Sequence, residues 1–117
     1  MNSHQQPLRR LLQANIVIDQ GTTFSTSINL SNDDGSAKDL SDYTARAQLR
    51  KSYYTNTYTS FTTSKVNLTG ELTISLTAEQ TSSLKAGRYV YDVEIESSAE
   101  TLRVLEGIIT VTPEVTR

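Results

Sequence analysis

The 117-residue chain contains no cysteine, no tryptophan and a single histidine, and it carries only two prolines and one methionine. Without cysteine there is no disulfide framework and no thiolate metal site. With only His4, in the polar start MNSHQQP, a Ser-His-Asp arrangement has no histidine placed on a scaffold, and a four-ligand zinc site cannot be assembled. No apolar run approaches the roughly 20 residues of a membrane span, and the short apolar runs of MNSHQQPLRRLLQANIVID do not make a signal-peptide core. A Gly-rich phosphate loop is also missing. The formal net charge of −2 argues against phosphate-backbone binding, which needs a concentrated positive surface.

What is present is β-forming material. Threonine and serine are abundant, and tyrosine outnumbers phenylalanine 6 to 2, a composition suited to pleated, half-exposed surfaces. Alternation with period two starts at Ile16 and Ile18 and resumes at Phe24, Thr26, Ile28 and Leu30. After the turn signal Asn32-Asp33-Asp34-Gly35 it continues through Tyr43, Ala45, Ala47 and Leu49, then Leu72, Ile74 and Leu76, then Tyr89, Tyr91, Val93 and Ile95. The segment 51–66, rich in Tyr and Thr, reads as a hairpin with its tip near Thr55-Asn56-Thr57. The final strand, about Thr101 to Thr112, slips in phase between Val104 and Ile109, which predicts a bulge at Glu106-Gly107. Thr77-Ala78-Glu79-Gln80 predicts a capped helical turn within 78–84. About seven strands at this spacing predict an all-β, two-sheet antiparallel sandwich at 14–117, preceded by an N-terminal arm at 1–13.

The carboxylates divide into turn residues and outward strand residues. Asp33, Asp34, Asp39 and Asp42 crowd one loop but lack the Asp-x-Asp-x-Asp-Gly spacing of a calcium loop, so turn and cap roles are expected. Glu71, Glu79, Glu94, Glu96 and Glu100 read as a solvated face rather than as acid–base pairs. The sequons at Asn29 and Asn67 read as chance matches. The most suggestive surface is the aromatic segment Tyr53, Tyr54, Tyr58 and Phe61 with Arg46, Arg50 and Lys51 beside it. Its tyrosines suit protein contact, although alternate members could equally fill the edge of the core.

Gly87-Arg88-Tyr89-Val90-Tyr91 resembles the tyrosine corner of immunoglobulin-like sandwiches, with Tyr89 as the corner and Tyr91 where antibody domains place a cysteine. The pieces GTTFSTSINLSNDDGSAKDLSDYTARAQLRKSYY, GELTISLTAEQTSSLKAGRYVYDVEI and EGIITVTPEVTR resemble immunoglobulin-like virion structural proteins of tailed bacteriophages. The outline is similar to the N-terminal domain of siphophage baseplate upper proteins and to short virion proteins of cyanobacterial and marine myophages, over residues 15–117. The resemblance implies a non-enzymatic structural subunit without cofactor, metal or small-molecule substrate. It would be made in the host cytoplasm, incorporated into the virion in several copies, and bound to other virion proteins rather than to nucleic acid or membrane. A tail or baseplate adaptor is the first expectation; a capsid decoration protein and a module for host-surface glycan or protein are the alternatives. Leu8, Arg9, Arg10, Leu11 and Leu12 of the arm, together with Arg46, Arg50, Tyr53, Tyr54 and Tyr58, are the expected docking residues.

Overall fold

The computed structural model describes residues 11–116. Nine strands are present among them: β1 (Leu12–Gln13), β2 (Ile16–Asp19), β3 (Phe24–Asn29), β4 (Thr44–Arg50), β5 (Thr59–Ser60), β6 (Thr62–Val66), β7 (Glu71–Leu76), β8 (Gly87–Glu96) and β9 (Thr101–Thr112). A 3-10 turn, Asn67–Thr69, precedes β7, and the helix α1 (Ala78–Ser82) follows it. The larger sheet runs β1-β9-β8-β4-β5 with β2 also on β9, and the smaller runs β3-β7-β6. In this order β3, β7 and β6 take the places of strands B, E and D of an immunoglobulin sandwich. β4, β8 and β9 take those of C, F and G. The fold is an immunoglobulin-like β-sandwich.

Alternation sets the core. Leu72, Ile74 and Leu76 from one sheet and Tyr89, Tyr91, Val93 and Ile95 from the other are buried together with Ile18, Leu49, Ile109 and Val111. Each such side chain contributes about 1.5–3 kcal/mol on leaving water. The crossing between sheets is capped as the sequence predicts. Gln80 N–H donates to Thr77 Oγ1 at 3.1 Å, and Thr77 N–H donates to Gln80 Oε1 at 2.9 Å, a capping box. Thr81 adds a tie that sequence reading does not reveal. It is wholly buried; its hydroxyl donates to the Thr22 carbonyl at 2.7 Å and accepts from Gly21 N–H at 3.0 Å, fastening α1 to the β2–β3 turn.

Three details differ from expectation. First, the sandwich is not wholly antiparallel: β1 and β2 both run parallel to β9, pairing Leu12 with Leu105 and Ile16 with Ile109. Second, the bulge lies at Val104, not at Glu106-Gly107: Val93 pairs with Leu105 while Glu94 pairs with Arg103, leaving Val104 as the extra residue, with Val104 and Leu105 both buried. Gly107 serves another need. A Cβ there would sit 2.0 Å from the Ala14 carbonyl oxygen, so only glycine lets the first strand path close on β9. Third, 51–66 is not a single hairpin. Residues 51–58 are a turn-rich connection, and β5 returns briefly to β4 with Gln48 opposite Ser60. The chain then changes sheet at Phe61 and continues as β6 against β7. Phe61 fixes that change: it is buried, with its ring 6.1 Å from Phe24 and 6.5 Å from Tyr91.

Candidate interaction surface

The outward face of the larger sheet is built by parity. Arg46, Gln48 and Arg50 project from β4 opposite Glu94, Asp92 and Val90 of β8, because these residues pair directly and the inward positions between them belong to the core. The 51–58 connection folds over one end of this face. Together they form an open concavity of about 500 Å³ whose polar lining includes Arg46, Gln48, Arg50, Tyr53, Asp92 and Glu94.

Most charge in this concavity is already paired. Arg46 lies 3.1 Å from Glu94 and 3.5 Å from Glu96, while Arg103 lies 3.4 Å from Asp92 and 3.3 Å from Glu106. At this exposure such pairs contribute about 0–1 kcal/mol each, so they order side chains more than they stabilise the fold. Burial pushes the Asp92 carboxyl above its usual range; Glu94 adds to the shift, and Arg103 and Arg50 oppose it.

Arg50 is held differently. Its Nη1 donates to the Thr55 carbonyl at 2.7 Å, its Nη2 donates to Gln48 Oε1 at 3.1 Å, and its guanidinium carbon lies 5.0 Å from the Tyr58 ring centroid. This arginine therefore shapes the connection as well as lining the concavity. Lys51 points elsewhere, with its ammonium 4.7 Å from the centre of the Tyr89 ring.

The tyrosines of the connection are open to solvent: Tyr54 is 95% exposed, Tyr53 71% and Tyr58 50%. Of the aromatics in this segment, Phe61 fills the core and the three tyrosines do not. Arg46, Arg50 and Tyr53 share the concavity, Tyr58 reaches it through Arg50, and Tyr54 lies outside its lining. Leu8, Arg9 and Arg10 lie outside the described residues. Leu11 is half-buried, and Leu12, in β1, is 37% exposed. Since β1 and β5 sit at opposite ends of the larger sheet, four strand spacings separate them, about 19 Å. Leu12 thus lies on the margin of the sheet opposite β5, the strand that the 51–58 connection enters.

Tyr89 has the geometry of a tyrosine corner: its hydroxyl donates to the Lys85 carbonyl at 2.7 Å, four residues upstream. The loop aspartates hold turns. Asp39 Oδ1 accepts from Ser41 N–H at 2.9 Å and from its hydroxyl at 2.6 Å, which lowers the Asp39 pKa. Asp34 accepts from Ser36 N–H at 2.9 Å. Among the described residues no three His, Cys, Asp or Glu side chains gather as metal ligands. Glu100, expected on the solvated face, instead accepts a hydrogen bond from the Tyr43 hydroxyl. It thereby links the β8–β9 turn to the start of β4.

Sequence reading found Arg46, Arg50 and the tyrosines but missed Gln48, Asp92 and Glu94 as their neighbours. The outward parity of each strand was readable; the register that sets β4 against β8 was not.

No protein-family model matches the chain. No curated protein matches it either. Among solved structures the chain is similar to the crystal structure of Dscam1 isoform 6.9, N-terminal four Ig domains. Identity is 13%, the match covers 96% of this chain and 26% of that one, and the TM-score is 0.47. The chain spans about a quarter of that protein's length, and a likeness this distant adds nothing to the fold argued from strand order and nothing on function.

Proposed function

We propose that the chain is a non-enzymatic structural subunit of a tailed-phage virion, a tail or baseplate adaptor that holds another virion protein. The sequence resemblance over residues 15–117 supplies the virion setting. One observation carries the docking role: three tyrosines of one short connection are exposed beside an arginine-bearing sheet face, while the remaining aromatics are in or against the core. Tyrosine presents a large rigid ring with a polar tip and loses little side-chain entropy on docking. The loop and cap roles of the aspartates, and the ion pairs of Glu94 and Glu96, give these carboxylates structural work and favour a non-catalytic reading.

The test is a photo-crosslinking amino acid placed at Tyr54 in purified particles. The adaptor reading expects a cross-link to a single other virion protein and a copy number per particle that is a small multiple of three or six. Copies in the hundreds would move the assignment to capsid decoration. Particles that lack the chain would overturn the virion reading altogether.

A further inference from the structure

Arg50 takes part in none of the ion pairs closer than 4.0 Å among the described residues, unlike Arg46 and Arg103 on the same face. Two of its five N–H groups are used, by Thr55 and Gln48, and the guanidinium carbon lies over the Tyr58 ring, 5.0 Å from its centroid. These contacts fix the orientation of a long side chain before any ligand arrives, so less entropy is lost on binding. The group is partly buried and lines the concavity, where a charge is less screened than on open surface. Across the sheet Arg50 faces Val90; the neighbouring acid Asp92 faces Gln48 and lies 3.4 Å from Arg103, and Glu94 lies 3.1 Å from Arg46. The concavity therefore has one oriented cation that no carboxylate among the described residues contacts within 4.0 Å, although the charge of Asp92 still reaches it.

From this arrangement we infer that Arg50, with Gln48 and Tyr53 at its margin, is a receptor for a carboxylate, supplied by an Asp or Glu side chain of the protein that docks on the tyrosine loop. Planar guanidinium donors match a carboxylate two to two, and Tyr53, at the same rim, offers a hydroxyl and a ring edge to the chain that carries it. This inference rests on the docking reading above and names the chemistry that the partner must present.

The experiment uses the isotopically labelled full chain at low ionic strength, observed by NMR at the amides of Gln48, Arg50 and Tyr53 and at the Arg50 side chain. The probes are N-acetyl-glutamate methylamide, its glutamine counterpart and N-acetylneuraminic acid. The glutamate probe should give saturable shifts with a dissociation constant on the order of 10 mM, the weakness expected of so small a ligand. The glutamine probe should give none. Arg50→Gln should abolish saturation, Arg50→Lys should weaken it, and Asp92→Asn, which removes a competing negative charge, should strengthen it several-fold. Equal shifts with glutamate and glutamine, or with Arg50 and its glutamine variant, would overturn the inference. Markedly tighter binding of the sugar acid would also overturn it, in favour of an acidic glycan. Cross-linking from Tyr54 reads the docking loop separately, so loss of the carboxylate site and loss of the adaptor role are distinguishable results.

Discussion

The six tyrosines divide into two groups of three, Tyr43, Tyr89 and Tyr91 in the sandwich and Tyr53, Tyr54 and Tyr58 in the 51–58 connection. The first group is buried, and each hydroxyl has one defined partner: Glu100 for Tyr43, the Lys85 carbonyl for Tyr89 and the Ala14 carbonyl for Tyr91. Each of those bonds joins separate segments, so the hydroxyl completes the fold rather than facing a ligand. The second group makes the opposite use of the same side chain. Its rings are exposed, Tyr58 by half, and the Arg50 guanidinium lies over the Tyr58 ring. A tyrosine's role here follows from what its hydroxyl meets. A buried phenol needs an acceptor within the protein, whereas an exposed one is satisfied by water and stays open to other contacts.

Substitutions can break this division. The largest effect is expected from Tyr91→Ala, which removes a buried ring beside Phe61 and the bond to Ala14. By the usual cost of emptying an aromatic site, it should lower stability by about 3–5 kcal/mol in urea unfolding. A loss below about 1 kcal/mol would place Tyr91 outside the core.

An effect of intermediate size is expected at alkaline pH. Burial pushes the Tyr91 hydroxyl up from 10.0 to about 12, so the unfolded chain loses this proton first. The unfolded state then binds fewer protons than the native one, and stability falls as pH rises from about 10 through about 12. Unfolding midpoints across that window should show this decline, to which Tyr43 and Tyr89, also pushed up by burial, contribute; Tyr91→Phe should make it shallower, and an identical slope in the variant would remove Tyr91 as a source.

Tyr89→Phe keeps the ring and deletes the 2.7 Å bond to Lys85. It should cost about 0.5–1.5 kcal/mol, measured in the same unfolding assay. The smallest effect is expected in the other group. Serine at Tyr53 or Tyr54 should change stability by no more than about 0.5 kcal/mol, and a larger loss at Tyr54 would mean that its ring supports the fold.

Much of this sandwich was legible in the sequence because alternation reports burial directly. Tyr89, Tyr91, Val93 and Ile95 read as one inward face and are buried together. Thr77 and Gln80 read as a cap because that pairing depends on residues three apart. Long-range geometry was less legible. Nothing local announces that β2 lies parallel to β9, that Val104 is the extra residue, or that the Thr81 hydroxyl reaches Thr22. Each depends on which strands become neighbours, and one-dimensional periodicity does not contain that information. In 51–58 local propensity misled. The Tyr and Thr content favours strand, but Thr55 N–H donates to Ser52 O at 3.2 Å and Arg50 holds the Thr55 carbonyl, so a turn prevails. The concavity was hidden for the same reason as β2: it exists only once β4 and β8 are in register.

The docking role proposed above requires that the exposed tyrosines serve a partner and not the fold. Its most direct test is the chain carrying Tyr53→Ser, Tyr54→Ser and Tyr58→Ser together, followed by incorporation into particles in a complementation assay alongside its urea unfolding curve. The expected result is an unfolding midpoint close to that of the unaltered chain and incorporation reduced at least tenfold. Full incorporation by a folded triple variant would contradict it.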